Sequence, residues 1–167
     1  MPFMLTGSLA SSLHGEPRAT QDVDLVIDPD PPALDRFLEG IDRQRFYVSD
    51  DDGARRAFAQ RDMFNVIDQV TGWKIDLVIR KDRPFSRVEF GRRKAVAVAG
   101  LRLPVATPED LVLAKLEWAS ASRSERQPHD VAAIFAVNPH LDRPYLERWA
   151  EELGVSEPLH EVAESAG

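Results

Sequence analysis

Asp22-Val23-Asp24 opens an apolar run, and two aspartates at i and i+2 on a strand project from one face. Like charges held that close cost electrostatic energy unless a cation or hydrogen-bond donors neutralise them, so the pair is a candidate seat for a divalent ion. Asp76 sits within Trp-Lys-Ile-Asp-Leu-Val-Ile, where an acid flanked by aliphatics needs a partner. If this run pairs beside residues 22–28, Asp76 joins the same face. Three converging carboxylates can hold two metal ions, one activating an attacking hydroxyl and one escorting a triphosphate; Asp76 would hold the first or take the hydroxyl proton. Upstream, Gly7-Ser8 ends a short apolar run. A glycine lets backbone N–H groups approach a phosphate, a helix N-terminus adds partial positive charge, and the serine hydroxyl is one more donor. Each piece has an ordinary alternative: two acids on a solvated strand, a common Gly-Ser turn, and an Asp76 salt-bridged to Lys74, Arg80 or Arg18. Together they match the needs of metal-assisted phosphoryl or nucleotidyl transfer.

The elements that must position these residues can be read in order. Residues 3–6 are a short apolar strand entering the Gly7-Ser8 turn. Residues 8–14 are small or aliphatic and predict a helix with Ser8 as N-cap, broken by Gly15, Pro17 and Thr20. Residues 22–28 alternate: Val23, Leu25 and Ile27 point one way, Asp22, Asp24, Val26 and Asp28 the other. A helix is expected over 32–43, a short strand over 46–48, and a helix or loop over 50–60. Two strand-like runs, 63–70 and 73–79, meet at Thr71-Gly72 as a hairpin. A short helix over 84–93 and strands over 95–99 and 101–105 follow. Thr107-Pro108-Glu109-Asp110 is a strong helix start, with a Thr cap, Pro at the first position and acids in the first turn. Helices over 108–120, 129–137, 143–153 and 157–164 complete the chain. The expected class is α+β: a small mixed sheet with flanking helices over residues 1–106, then a helical region, 107–167, that completes a cleft.

The chain has 167 residues, 43% hydrophobic and 29% charged, which suits one domain or a compact domain with a helical appendage. The absence of cysteine excludes a disulfide framework and a thiolate metal site, and fits a cytoplasmic setting. No apolar run reaches membrane-spanning length and no export signal opens the chain, so no membrane partner is expected. The net charge of -7 argues against a protein that simply coats nucleic acid. The segment 80–94 is nevertheless basic, with Arg80, Lys81 and Arg87 among its cations, and permits an anionic substrate on one face. His14, His129, His140 and His160 show no metal-ligand spacing, and Trp73, Trp118 and Trp149 are read as core.

Gly7-Ser8, then Arg18-Ala-Thr-x-Asp22-Val-Asp24-Leu, then Asp76 on a later strand, resembles the nucleotidyltransferase superfamily typified by DNA polymerase beta. More narrowly it looks like the AbiEii-type toxin nucleotidyltransferases. Thr107-Pro-Glu-Asp-Leu-Val-Leu-Ala-Lys115-Leu resembles that family's helix with a lysine, and Arg126-x-x-His-Asp130-Val its following motif. The likeness covers residues 3–137. It implies a nucleotidyltransferase-type sheet over 1–106 and a C-terminal helical part completing the active-site cleft. It implies nucleotide binding by Gly7 and Ser8, and Mg²⁺ (or Mn²⁺) held by Asp22, Asp24 and Asp76. Lys115 would reach the phosphates as a point charge, the alternative being an exposed helix lysine. Asp130 would orient Lys115 or contact the nucleotide; otherwise it caps its own helix. Arg18 is a phosphate ligand by charge and place, or a partner of the strand aspartates. The family usually carries a helix before its first strand, whereas Phe3 opens that strand here almost at once.

The implied reaction moves NMP from an NTP to an acceptor hydroxyl. In the toxin branch the acceptor is tRNA or a protein, and an antitoxin partner is implied. Two other readings stand beside it: transfer to a small molecule such as an aminoglycoside, which an acidic pocket favours, and a catalytically degenerate domain that binds a nucleotide or a partner protein.

Overall fold

The computed structural model describes residues 1–167 other than 18, 49, 99, 123–125 and 166–167. In chain order its elements are β1 (Phe3–Thr6), α1 (Gly7–His14), β2 (Asp22–Ile27), α2 (Pro31–Glu39), β3 (Phe46–Val48), α3 (Asp51–Gln60), β4 (Met63–Asp68), β5 (Lys74–Ile79), α4 (Pro84–Arg92), β6 (Lys94–Val98), β7 (Leu101–Val105), α5 (Pro108–Ser122), α6 (Arg126–Val137), α7 (Arg143–Leu153) and α8 (Ser156–Ser165). The α+β class expected from the sequence is the one observed. The chain divides into two compact units: Met1–Leu9 with Ala19–Val105, and Ala10–Arg18 with Ala106–Gly167.

The first unit is built on a mixed sheet of order β3-β4-β5-β2-β1-β7-β6. β2 is central, antiparallel to β1 and parallel to β5. Alternation decides its faces. Leu25 and Ile27 of β2, Ile75, Leu77 and Ile79 of β5, and Phe64 and Val66 of β4 pack with Leu34 and Leu38 of α2 and Ala54 and Ala57 of α3. Burying each large aliphatic side chain contributes about 1.5–3 kcal/mol, and a one-residue slip would send the strand aspartates into that core. Sharp ends fix the helices: Pro31 and Pro32 open α2, and the Asp30 carboxylate accepts from the Ala33 amide (2.7 Å). The β4–β5 hairpin closes through Gly72, at φ +77°, as the Thr71-Gly72 pair predicts.

In the second unit Thr107 caps α5 as its sequence predicts. The Asp110 amide donates to Thr107 Oγ1 (3.3 Å), and the Thr107 hydroxyl donates to the Asp110 carboxylate (2.7 Å). The Tyr145 hydroxyl of α7 also donates to that carboxylate, so fully buried Asp110 serves the fold. Leu111, Leu113 and Leu116 of α5, Ile134 of α6, Leu146 and Trp149 of α7 and Leu159 of α8 are buried. Residues 10–14 of α1 belong here: His14 Nε2 donates to the Ala106 carbonyl (3.0 Å), a structural role.

Three readings need correction. α1 begins at Gly7, so Ser8 lies within its first turn and is not the cap. Trp73 precedes β5 and is 38% exposed, and Trp118 is 58% exposed on α5; only Trp149 is core. Helical or strand spacing orders side chains around an element but does not say which side another element covers.

Candidate active site

The carboxylates lie in the first unit. Parallel pairing of β2 with β5 sets Asp24 opposite Asp76 and Asp22 opposite Lys74. Neighbouring strands lie about 4.8 Å apart, so Asp24 and Asp76 are adjacent on the face turned from the α2–α3 core. β1 and β4 extend the row, with Thr6 in register with Asp24 and Asn65 in register with Asp76. Asp22 is exposed, Asp24 half-buried and Asp76 only 7% exposed. Lys74 Nζ lies 2.8 Å from Asp76 Oδ2 and 3.7 Å from Asp22 Oδ1, so the salt bridge foreseen for Asp76 is present. The other oxygen, Asp76 Oδ1, is buried without a hydrogen-bond partner.

The electrostatics follow. Burial first, then the charges of Asp76 and Asp22, lift the Asp24 carboxyl above the usual range, against the Ser8 amide and Lys74, which pull it down. The hydrogen bond to Asp76 in turn holds the Lys74 ammonium above the ordinary lysine value.

Gly7, at φ +64°, is the close approach between β1 and this row. A Cβ there would meet Asp24 Oδ2 at 1.9 Å, so only glycine lets the chain turn into α1 beside that carboxylate. The Ser8 backbone amide donates to Asp24. Gly7, Ser8, Asp22, Asp24 and Asp76 are thus gathered on one face of one unit. Among the described residues, however, no three His, Cys, Asp or Glu side chains are grouped to hold a metal ion; Asp22 is drawn toward Lys74 and the three carboxylates do not meet at one point. The arrangement fits Mg²⁺, which is usually bound through one or two carboxylates plus waters and substrate phosphates, and the orphaned Asp76 Oδ1 is an oxygen such an ion would satisfy.

The second unit holds the other predicted residues. Lys115 Nζ donates to Asp130 Oδ2 (2.8 Å) and to Gln127 Oε1 (3.0 Å), joining α5 to α6. Lys115 is 5% and Asp130 7% exposed, so the lysine is not an exposed helix residue and Asp130, four residues into α6, is not its cap. A small cavity of about 50 Å³ beside the pair is lined by Ser11, Ser12, Glu16, His129 and Asp130, with room for water and not for a nucleotide. Arg18 lies outside the described residues.

Sequence reasoning missed Asn65 and Gln127. Asn65 is a lone carboxamide in an apolar hairpin strand, and only the register of β4 shows it beside Asp76. The basic segment is largely engaged within its own unit: Arg80 pairs with Asp28 (2.9 Å) and Arg87 with Asp82 (2.5 Å).

No protein-family model and no curated protein matches the chain. Among solved structures it is similar to an antigenic nucleotidyltransferase-like protein from Paracoccidioides brasiliensis, with TM-score 0.54 and 17% identity, covering 98% of this chain and 84% of that one. It is similar also to the antibiotic-resistance factor ANT(2'')-Ia, with TM-score 0.54 and 11% identity, covering 99% of this chain and 89% of that one. The likeness is one of fold: the chain has a nucleotidyltransferase-like fold. No helix among the described residues is long and apolar enough to cross a membrane.

Proposed function

We propose that this protein transfers a nucleoside monophosphate from an NTP to an acceptor hydroxyl. The observation that carries the reading is the in-register pair Asp24–Asp76, with Asp22 on the same face and Gly7 held against Asp24 where no side chain fits. In this reading Asp22, Asp24 and Asp76 hold Mg²⁺, which when bound neutralises charge developing on the triphosphate. The Gly7-Ser8 start of α1 binds phosphate oxygens through backbone amides. The acceptor oxygen forms a bond to the α-phosphorus as the bridging P–O bond breaks, and pyrophosphate leaves. Asp76 Oδ1, without a protein donor, would be a ligand of the Mg²⁺ ion, and the acceptor hydroxyl proton would pass to water. Positioning and charge neutralisation lower the barrier, with no protein nucleophile. Lys115 enters as the buried cation that fixes Asp130, and Arg18 by its charge.

Two classes of acceptor have support. The motif likeness to AbiEii-type toxins favours tRNA or a protein side chain, with an antitoxin as partner. The net charge of -7 and the fold shared with an antibiotic-resistance factor favour a cationic small molecule. Incubation with α-labelled NTPs, Mg²⁺ and each acceptor class tests the reading. Label is expected on one of them, and Asp22→Asn or Asp24→Asn is expected to lower transfer about 100-fold or more with the fold retained. Undiminished transfer by both variants would sink the assignment.

A further inference from the structure

Lys74 is a charged group of this face to which the transfer reading gives no role. It precedes Asp76 by two residues on β5, shares its face, and stands opposite Asp22 in register. Its ammonium contacts Asp76 Oδ2 at 2.8 Å and lies 3.7 Å from Asp22 Oδ1. The position between those two carboxylates is therefore filled by a cation that belongs to the chain. What remains is Asp24, beside Asp76, together with Asp76 Oδ1, which is buried and without a partner. Three carboxylates against one ammonium leave two negative charges, the charge of a single divalent ion. An ammonium is a compact point charge on a flexible stem and neutralises carboxylates without the octahedral oxygen shell that Mg²⁺ demands.

Resting on the transfer reading above, we propose that Lys74 serves as a built-in cation at this face, so that without nucleotide the chain binds one divalent ion, at Asp24 and Asp76 Oδ1, and not two. Lys74 then sets the metal stoichiometry of the site. It also stands between Asp22 and Asp76, in keeping with the absence of a three-ligand group among the described residues.

The test is a Mn²⁺ titration of the full chain without nucleotide, free ion being followed by electron paramagnetic resonance. The wild type and Lys74→Arg are expected to bind about one ion per chain, and Asp24→Asn to lose it. Lys74→Met is expected to bind a second ion, or to bind the first about tenfold more tightly, because a like charge has gone. Lys74→Gln carries the same expectation should the Met variant fail to fold, as judged by circular dichroism. Two ions on the wild type, or an unchanged count and affinity in the folded Met or Gln variant, overturn the proposal. So does a wild type that binds no Mn²⁺. In that case labelled-nucleotide transfer by the same preparation separates the two ideas: transfer retained leaves the function standing, and transfer absent removes both.

Discussion

Asp24 is held in a setting that disfavours its charged form. Burial and the neighbouring acids raise its proton affinity in the folded chain, whereas the unfolded chain releases that proton near the ordinary value of about 3.9. As pH rises past that value the unfolded state gains the freedom to ionise first, so the group subtracts from stability at neutral pH. Asp24→Asn is therefore expected to raise the thermal midpoint at pH 7, even as it removes transfer. The gain should fade below about pH 4, where Asp24 is protonated in both states. Melting curves at pH 7 and pH 3.5 check this; equal midpoints for variant and wild type at pH 7 would count against the charge repulsion described for the row. The Asp-x-Asp spacing and the oddity of Asp76 were both visible in the sequence. Lys74 is one of three partners that the sequence offers Asp76; which of them pairs with it, and the place of the Asn65 carboxamide, depend on register, which periodicity does not determine.

Among the elements, the pairing of α5 with α6 depends on a buried ion pair. Truncating one partner leaves the other charged and desolvated, a loss of about 3–5 kcal/mol. Lys115→Met is expected to destabilise the protein by that order in urea unfolding, and the double variant Lys115→Met/Asp130→Leu to recover much of it. A single variant as stable as the wild type would remove the pair from any account of this unit. Strand and helix existence was largely legible: the alternation of residues 22–28 and the Thr107-Pro-Glu-Asp start both appear as read. The failures have one cause. Trp118 follows α5's helical spacing yet faces solvent, and Trp73 stops short of β5, because spacing names a face without naming what covers it. Ser8 has the chemistry of a cap, but it lies inside the first turn of α1, where its backbone amide donates to Asp24.

At the scale of the whole molecule, the sheet and helices α2 to α4 fall in one compact unit and helices α5 to α8 in the other. What composition conceals is that residues 10–18 belong with the latter. α1 leaves the carboxylate row at its first turn and ends among partners of the second unit. A fragment of residues 106–167 is accordingly expected to show less helix by circular dichroism than it carries in the intact chain, and a peptide of residues 7–18 to restore part of it. Full helicity in the fragment alone would show that the second unit does not need that segment.

The same feature bears on the order of synthesis. His14 is synthesised well before its partners: its bonds run to Ala106 and Asn138, 92 and 124 residues later. Contacts so distant along the chain close late, after the loop entropy of the intervening strands has been met. Helix α1 is thus made before the partners that secure it. Until the C-terminal helices arrive, the backbone turn at Gly7 is tethered to a segment whose anchor has not yet been translated.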